Sequence, residues 1–462
     1  MIRLYDTARG EVRDLQLRHA GRLSMYVCGP TVDNLPHLGH GRFTLVWDVA
    51  RRWFTFQGLS VHYVSNITDI DDKIIARAAA ESRSESDVVT QYEGEWWDAM
   101  SRLGVAEPDD VPHATEYVDD MVTLIEALLA SDVAYQTSDG VYFDVSRVVD
   151  YGLLAGQPLD SLRAGARVEE NEEKRSPLDF ALWKNAKPGE PRWPAPFGEG
   201  RPGWHTECVV MSLDLLGEDF DLHCGGLDLK FPHHENERAQ AVAASKAFAR
   251  HWGHNGWVMV DGVKMSTSLN NFTSLTDLLE RTDPRAYRLL VLRSHYRSPI
   301  EVSPTTIADA ERALARLDGF ARRFELPPFG AGFEVAAACT WEEESLELYE
   351  RVVALMNDDL NTPAAVGELF EALTAAHQAA DEGRDAAARR LAHSINVLFG
   401  AMGLALRAGV QNVDEISEKL VLERDAARSA KSWADADRLR DELVERGWIV
   451  EDGPSGTVIR RP

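Results

Sequence analysis

Two rhythms of apolar and polar positions alternate along the first 300 residues. Leu23 to Cys28 is a short apolar run of strand type. A loop, Gly29-Pro30-Thr31-Val32-Asp33-Asn34-Leu35-Pro36, follows it. Then Phe43, Val46, Trp47, Ala50, Trp53 and Phe54 recur at the i, i+3, i+4, i+7 spacing of a helix with one buried face. Gly58 ends that helix, and Val61 to Val64 reads as the next strand. Strand, helix and strand in this order predict a parallel sheet with a right-handed crossover. Residues about 112–195 read as an insertion. It carries helical stretches, a hairpin of Ala134-Tyr135 and Val141-Tyr142-Phe143 around Ser138-Asp139-Gly140, and a proline-rich end from Pro191 to Pro202. The strand pattern resumes near Phe220-Asp221-Leu222-His223 and continues through Trp257-Val258-Met259-Val260.

Beyond about residue 300 the rhythm becomes helical. Leu346, Leu348, Val352, Leu355 and Met356, then Leu369, Phe370 and Leu373, then Ile395, Leu398 and Phe399 fit the helices of a bundle. Pro327-Pro328 and the stretch to Gly332 mark a linker before it. The last unit, about 415–462, reads as one strongly charged helix, then Trp448-Ile449-Val450 and a turn at Asp452-Gly453. The expected division is 1–300, with its insertion at about 112–195, then a stem or linker at 301–335, a helical bundle at 336–410 and a terminal unit at 411–462.

Composition narrows the class. At 462 residues the chain is too long for one ordinary core. Its 44% hydrophobic and 27% charged residues are those of a soluble globular protein. No apolar run approaches the ~20 residues of a membrane helix, and Met1-Ile2-Arg3-Leu4-Tyr5-Asp6 lacks a signal pattern. A cytoplasmic protein with no membrane partner is expected. The net charge of −26 argues against a non-specific nucleic-acid coat, while leaving room for a local basic patch. Cys28, Cys208, Cys224 and Cys339 lie far apart and form no short disulfide framework. In such a chain they are free, metal-bound or catalytic.

Three places carry chemistry. Pro36-His37-Leu38-Gly39-His40 stands at a predicted helix start, where unpaired N–H groups attract phosphate. Two imidazoles there could donate to phosphate oxygens, and Gly39 permits close approach of a nucleotide. Histidines at a helix start also serve as caps. Lys264-Met265-Ser266-Thr267-Ser268 follows the strand ending at Val260 and the Asp261-Gly262 turn. A loop with a lysine and hydroxyls can close over a triphosphate. Lastly, Cys28 follows a strand, Cys208 lies near a helix start, and His233 and Glu237 are spaced to share a helix face. Two thiols, an imidazole and a carboxylate are credible zinc ligands. His234 rivals His233 for the third position, and the four-residue spacing to Glu237 favours His233.

The first two motifs resemble the His-Ile-Gly-His and Lys-Met-Ser-Lys-Ser signatures of class I aminoacyl-tRNA synthetases. Met25-Tyr26-Val27-Cys28-Gly29-Pro30-Thr31-Val32, Asn66-Ile67-Thr68-Asp69-Ile70-Asp71-Asp72-Lys73, Gly203-Trp204-His205-Thr206-Glu207-Cys208, Phe231-Pro232-His233-His234-Glu235-Asn236-Glu237 and His295-Tyr296-Arg297-Ser298-Pro299 narrow the resemblance to the cysteinyl-tRNA synthetases. It runs through nearly the whole chain. It implies an α/β, Rossmann-like class I catalytic domain with an insertion, a helical stem and bundle, and a small C-terminal anticodon-binding domain. It implies a cysteine–tRNA ligase that uses ATP with Mg2+ to activate L-cysteine and passes it to tRNA(Cys), working as a monomer.

The resemblance puts the family's zinc, one per chain, on Cys28, Cys208, His233 and Glu237. It puts the amino-acid pocket at Gly29, Thr31, Thr68, Trp204 and Asp228, and catalysis on His37, His40 and Lys264. ATP would meet Pro36, Gly39, Lys264, Met265, Ser266, Thr267 and Ser268. The family's zinc takes the substrate thiolate, which answers how cysteine is told from serine when size discriminates poorly. A closed structural zinc is the alternative. Cys224 reads as a buried thiol, and Cys339 as structural or exposed. In the charged terminal helix, Arg424, Arg428, Lys431, Arg438 and Arg440 become candidate tRNA phosphate partners.

The chain also departs from the pattern. Thr267 and Asn270 stand where the family has a second lysine and a glycine, and Asp33-Asn34 replaces a pair often written Tyr-Asp. The sequence does not say whether Thr267 lowers activity or marks specialisation. Two other readings accompany the first: a ligase that passes cysteine to an amino sugar, as in mycothiol synthesis, and a non-catalytic tRNA-binding paralogue.

Overall fold

The computed structural model describes residues 1–156, 173–260, 262–264, 274–327, 341–342, 344–408, 414–453 and 456–460. The chain opens with a hairpin, β1 (Arg3–Asp6) and β2 (Glu11–Asp14), followed by β3 (Arg22–Val27). Every residue of β3 from Leu23 to Val27 is buried, as expected of a strand covered on both faces. Helix α1 (Leu38–Phe56) starts at His37, whose ring accepts the His40 N–H. The periodicity predicts one buried face. The helix is instead enclosed on nearly all sides, with Arg42, Asp48, Arg51 and Arg52 buried beside Trp47, Trp53 and Phe54. Asp48 pairs with Arg52 and with Arg288, Arg51 pairs with Asp109, and Arg42 donates to the backbone carbonyls of Trp257, Tyr296 and Ser298. Strand β4 (Ser60–Ser65) lies parallel to β3, and α2 (Asp72–Glu81) and α3 (Glu85–Arg102) follow.

The next stretch of chain builds α4 (Val118–Ala130) and four short strands: β5 (Ala134–Thr137), β6 (Gly140–Phe143), β7 (Phe180–Asn185) and β8 (Gly200–Pro202). They form an antiparallel meander in the order β5-β6-β7-β8. The expected hairpin is β5–β6. Val141, Phe143, Leu182 and Trp183 give the meander a core of its own.

Helix α5 (Trp204–Leu216) then returns the chain to the parallel sheet. Strand β9 (Leu222–Gly226), helix α6 (Glu235–Ala243) and strand β10 (His251–Asn255) complete it. The order is β10-β9-β3-β4, all parallel. The strand order reverses between β3 and β9, where a crevice opens at the C-terminal strand ends. Strands β11 (Val258–Val260) and β12 (Val263–Lys264) form a small antiparallel turn. Lys264 therefore belongs to a strand, while Met265 to Ser268 lie outside the described residues. Helices α7 (Leu275–Arg281) and α8 (Pro284–Leu292) and strand β13 (Ile300–Glu301), parallel to β11, close this part.

The remainder is helical, as the periodicity predicts: α9 (Pro304–Arg323), α10 (Glu344–Asn357), α11 (Thr362–Asp381) and α12 (Asp385–Ala401). Their apolar residues join those of α1, α3 and α8 in one continuous core. The terminal unit corrects the expectation of a single charged helix. It holds two, α13 (Glu415–Ser429) and α14 (Trp433–Glu445), then the hairpin β14 (Ile449–Gly453) and β15 (Gly456–Arg460). Lys431 adopts a left-handed backbone at φ +56°, which breaks the helix. Leu420, Leu439, Leu443, Trp448, Val450 and Ile459 form a separate small core there. No described helix is long and apolar enough to cross a membrane.

Candidate metal centre and nucleotide cleft

The C-terminal ends of the parallel strands converge on one crevice of about 400 Å³. Cys28, Gly29 and Thr31 come from the end of β3, Gly226 and Asp228 from β9, and Asn255 to Trp257 from β10. His37, Gly39, His40 and Phe43 from the start of α1 form the opposite wall, with Lys73 of α2 beside them. Gly29 is dictated by crowding: a Cβ there would lie 1.6 Å from the Asn66 carbonyl oxygen. The Asn66 side-chain oxygen accepts the Gly29 N–H at 2.9 Å.

At the base of the crevice four side chains meet. Cys28 Sγ is 3.7 Å from Cys208 Sγ and 3.5 Å from Glu237 Oε1. His233 Nε2 is 3.6 Å from Cys208 Sγ and 3.1 Å from Glu237 Oε1. All four residues are buried. A tetrahedral ion about 2.3 Å from sulfur and about 2.1 Å from nitrogen or oxygen needs sulfurs about 3.8 Å apart. It needs about 3.6 Å between sulfur and the lighter donors. The donor set and its spacing fit zinc. His233 and Glu237 do not share one unbroken helix: His233 lies in an irregular turn, 230–234, that feeds α6. The turn still aims both side chains at the thiols.

Burial raises both thiol pKa values, with the neighbouring thiol and Glu237 raising that of Cys28 further. Burial holds the His233 ring neutral, its pKa far below the ordinary value. A divalent cation would reverse the thiol shifts, since the thiolate is the ligand form.

A shell of histidines supports these groups, of which the sequence reading singled out His234 alone, as a rival ligand. His205 Nδ1 is 2.9 Å from His233 Nδ1, and a proton held on His233 Nδ1 in that contact would leave His233 Nε2 with its lone pair toward the thiols. His223 Nε2 lies 2.7 Å from Glu237 Oε2. His234 Nδ1 contacts His254 Nε2 at 2.9 Å, and His254 Nδ1 meets the Thr7 hydroxyl at 2.7 Å. Cys28, His223, His234 and Glu237 form an overlapping donor set. The set with His233 keeps both thiols and leaves His223 and His234 to these outer contacts. Among the missed residues, Asn66, His205 and Glu207 stood within the blocks that carry the resemblance, while His223 and His254 had no local pattern to mark them.

The remaining expected residues divide. Trp204 stacks on the His233 ring at 4.0 Å and lines the crevice, as do Gly29, Thr31 and Asp228. Thr68 does not line it. Its segment continues β4 and pairs behind Thr31, so the hydroxyl turns inward to donate to Glu207 Oε2 at 2.8 Å. Pro36 also stands back, its carbonyl accepting the Leu275 N–H. Cys224 is a buried thiol beside Gly253 and Trp47, and Cys339 lies outside the described residues.

His37 and His40 stack at 3.6 Å, nearly parallel. Each ring's Nδ1 accepts the other's backbone N–H, at 3.1 and 3.3 Å. The cap expected of such a pair is therefore present, and it assigns the ring proton to Nε2 in both. Burial lowers the His37 pKa to about 4 and that of His40 further below the usual range.

In the terminal unit, Arg424 is buried and donates to Thr457 Oγ1 at 2.5 Å. It braces α13 against the last hairpin and does not face outward as a phosphate partner would. Lys431, Arg438 and Arg440 are exposed.

Three family models match the chain. They are the tRNA synthetases class I (C) catalytic domain over residues 14–312, the DALR domain over 351–407 and the cysteinyl-tRNA ligase anticodon binding domain over 412–460. The cysteine–tRNA ligase of Laribacter hongkongensis is 43% identical over the full length of both chains. That of Methylobacillus flagellatus is 42% identical, again with both chains covered completely. The Mycobacterium tuberculosis methionyl-tRNA synthetase in complex with methionyl-adenylate superposes with a TM-score of 0.59 at 14% identity. That match covers 82% of this chain and 89% of the other and shows a shared fold. Identity at this level from end to end, over a fold common to class I synthetases, means that the chain belongs to the cysteinyl-tRNA synthetase family.

Proposed function

We propose that this chain is a cysteine–tRNA ligase in which Cys28, Cys208, His233 and Glu237 hold one zinc ion that selects the substrate thiolate. The observation that carries the reading is the buried quartet of donors at tetrahedral spacing, open to the crevice through Cys28. When bound, zinc supplies a borderline-soft Lewis acid that prefers sulfur to a hydroxyl oxygen and lowers the pKa of a thiol.

The side chains around it orient the reactants. Trp204 and Asp228 wall the amino-acid end of the crevice, and the start of α1 faces the nucleotide end. There the cysteine carboxylate attacks the α-phosphate of ATP and pyrophosphate leaves. His37 and His40 present neutral Nε2–H donors, and the first N–H groups of α1 add their positive dipole end. The terminal ribose hydroxyl of tRNA(Cys) then takes the cysteinyl group and AMP leaves. No side chain acts as a covalent nucleophile, and catalysis comes from positioning and charge stabilisation. Mg2+ accompanies ATP, and Lys264, Met265, Ser266, Thr267 and Ser268 complete the ATP site.

The division into a catalytic domain (1–300), stem (301–335), bundle (336–410) and anticodon-binding domain (411–462) belongs to the same reading, as do a monomeric state and a cytoplasmic location. The anticodon-domain match over 412–460 favours tRNA over an amino sugar as acceptor.

The test is cysteine-dependent ATP–pyrophosphate exchange, then aminoacylation, alongside metal analysis. The parent should carry about one zinc and discriminate strongly against serine. Cys208→Ser should lose the metal and at least about a hundredfold in exchange. Zinc-free parent protein that still selects cysteine would sink the zinc reading. Exchange without tRNA charging would move the function to another acceptor.

A further inference from the structure

The leaving pyrophosphate concentrates negative charge at the nucleotide end of the crevice, and the chain as a whole carries −26. Phosphoryl chemistry of this kind depends on cations that meet that charge. The family's second loop lysine is Thr267 here, a hydroxyl with no charge to offer. Both histidines on the facing wall are neutral.

Among the described residues that line the crevice, Lys73 is the one lysine or arginine. It is the second residue of α2, and its backbone N–H is anchored on Asp71 Oδ1 at 2.9 Å. Its side chain is exposed, and no described carboxylate lies within ion-pair distance of it. Asp72, the obvious competitor, is already engaged by Lys184 at 2.6 Å and by Arg201. Asp33 is near enough to feel the Lys73 charge, together with those of Asp71 and Arg77. The Lys73 charge also reaches both histidines, where it disfavours their protonation. The ammonium thus sits beside the nucleotide end of the crevice, on a fixed helix start, outside any described ion pair.

We propose that Lys73 is a further catalytic residue of adenylate formation, whose ammonium meets the departing pyrophosphate in place of a lysine at position 267. In the step it serves, a carboxylate oxygen of cysteine bonds to the α-phosphorus. The bond from that phosphorus to the bridging oxygen breaks, and the electron pair leaves with pyrophosphate. Lys73 gives up no proton and contributes charge only. Asp33, which stands where the family often has tyrosine, feels the Lys73 charge without forming an ion pair with it.

The inference rests on the ATP site proposed above. Its test is ATP–pyrophosphate exchange by the full-length, zinc-loaded protein as parent, Lys73→Ala, Lys73→Arg, Thr267→Lys and the double variant Lys73→Ala/Thr267→Lys. Lys73→Ala should lower kcat/KM for ATP about ten- to hundred-fold, the size of one charge-assisted contact. The KM for cysteine and the melting temperature should hold. Lys73→Arg should keep most of the rate, and Thr267→Lys should restore most of the loss in the alanine background. Should alanine disturb folding, Lys73→Gln, which keeps the stem, replaces it in the same comparison. A change within twofold, a matching rise in the KM for cysteine, or a loss that a lysine at 267 does not repair would overturn the proposal. A parent inactive in exchange would instead overturn the reading of the ATP site.

Discussion

The two stacked histidines show what a motif says and what it omits. Their spacing marks a helix start of the kind that attracts phosphate, and the cap was legible in it. Their charge was not, because it depends on burial that no local pattern encodes. His37, lowered to about 4, stays neutral through the physiological range, whereas an unfolded chain takes a proton below about 6.5. The sign follows from that order. As pH falls from about 6.5 toward 4 the unfolded state gains protons that the folded ring refuses, so folding loses stability. Near 4 the ring itself protonates, and its Nδ1 can no longer accept the His40 N–H. ATP–pyrophosphate exchange is therefore expected to show no titration of His37 between pH 6 and 8 and to fall only toward pH 4. A His37-dependent step near pH 6.5, present in the parent and absent in His37→Asn, would contradict this. Asn66 and Glu207 were illegible for a similar reason: each acts through a contact with a residue 37 or 139 positions away.

At the scale of elements, the strands and helices of the parallel sheet were readable because their apolar residues follow clean periods. The terminal unit was misread because charged residues run through both helices with no glycine or proline between them. A signal existed: Ser432, a residue type favoured at helix starts, stands at the N-cap position of α14, its hydroxyl donating to the Asp435 carboxylate at 2.7 Å. Splitting the helix changes which arginines can serve tRNA. Arg424→Met should loosen the terminal unit, seen as a lower melting temperature for α13, α14 and their hairpin. Arg438→Ala should leave melting unchanged and weaken tRNA binding, reducing the dependence of log K on log salt by about one counterion. Equal effects of the two substitutions on melting would refute the distinction.

At the scale of the molecule, the sheet and the bundle share one apolar core, which a reading of successive segments could not foresee. Polar ties cross the same boundary. The Arg288 guanidinium reaches Asp48 at 2.6 Å, the Gly104 carbonyl at 2.9 Å and the Met402 carbonyl at 3.4 Å. In the turn between α10 and α11, the buried Asp359 carboxylate accepts the Tyr5 N–H, the Tyr296 hydroxyl and the Arg297 Nε–H at 2.7–2.8 Å. Asp359→Ala strips these partners from the three donors, of which the Tyr296 hydroxyl is buried and Arg297 is exposed, and is expected to cost about 1–3 kcal/mol. Denaturant unfolding followed by tryptophan fluorescence measures it, and a loss under about 1 kcal/mol would show that the tie is ornamental. The candidate metal centre reaches across the chain in another way. Cys28 and Glu237 stand 209 positions apart, so an ion gripping both would draw a very long segment into a closed ring. An unfolded chain has no such grip to offer, which would make a bound ion a clasp on tertiary structure as well as the selector of sulfur proposed above. Heat resistance should accordingly follow the free zinc concentration, rising about 1.4 kcal/mol for each tenfold above the dissociation constant.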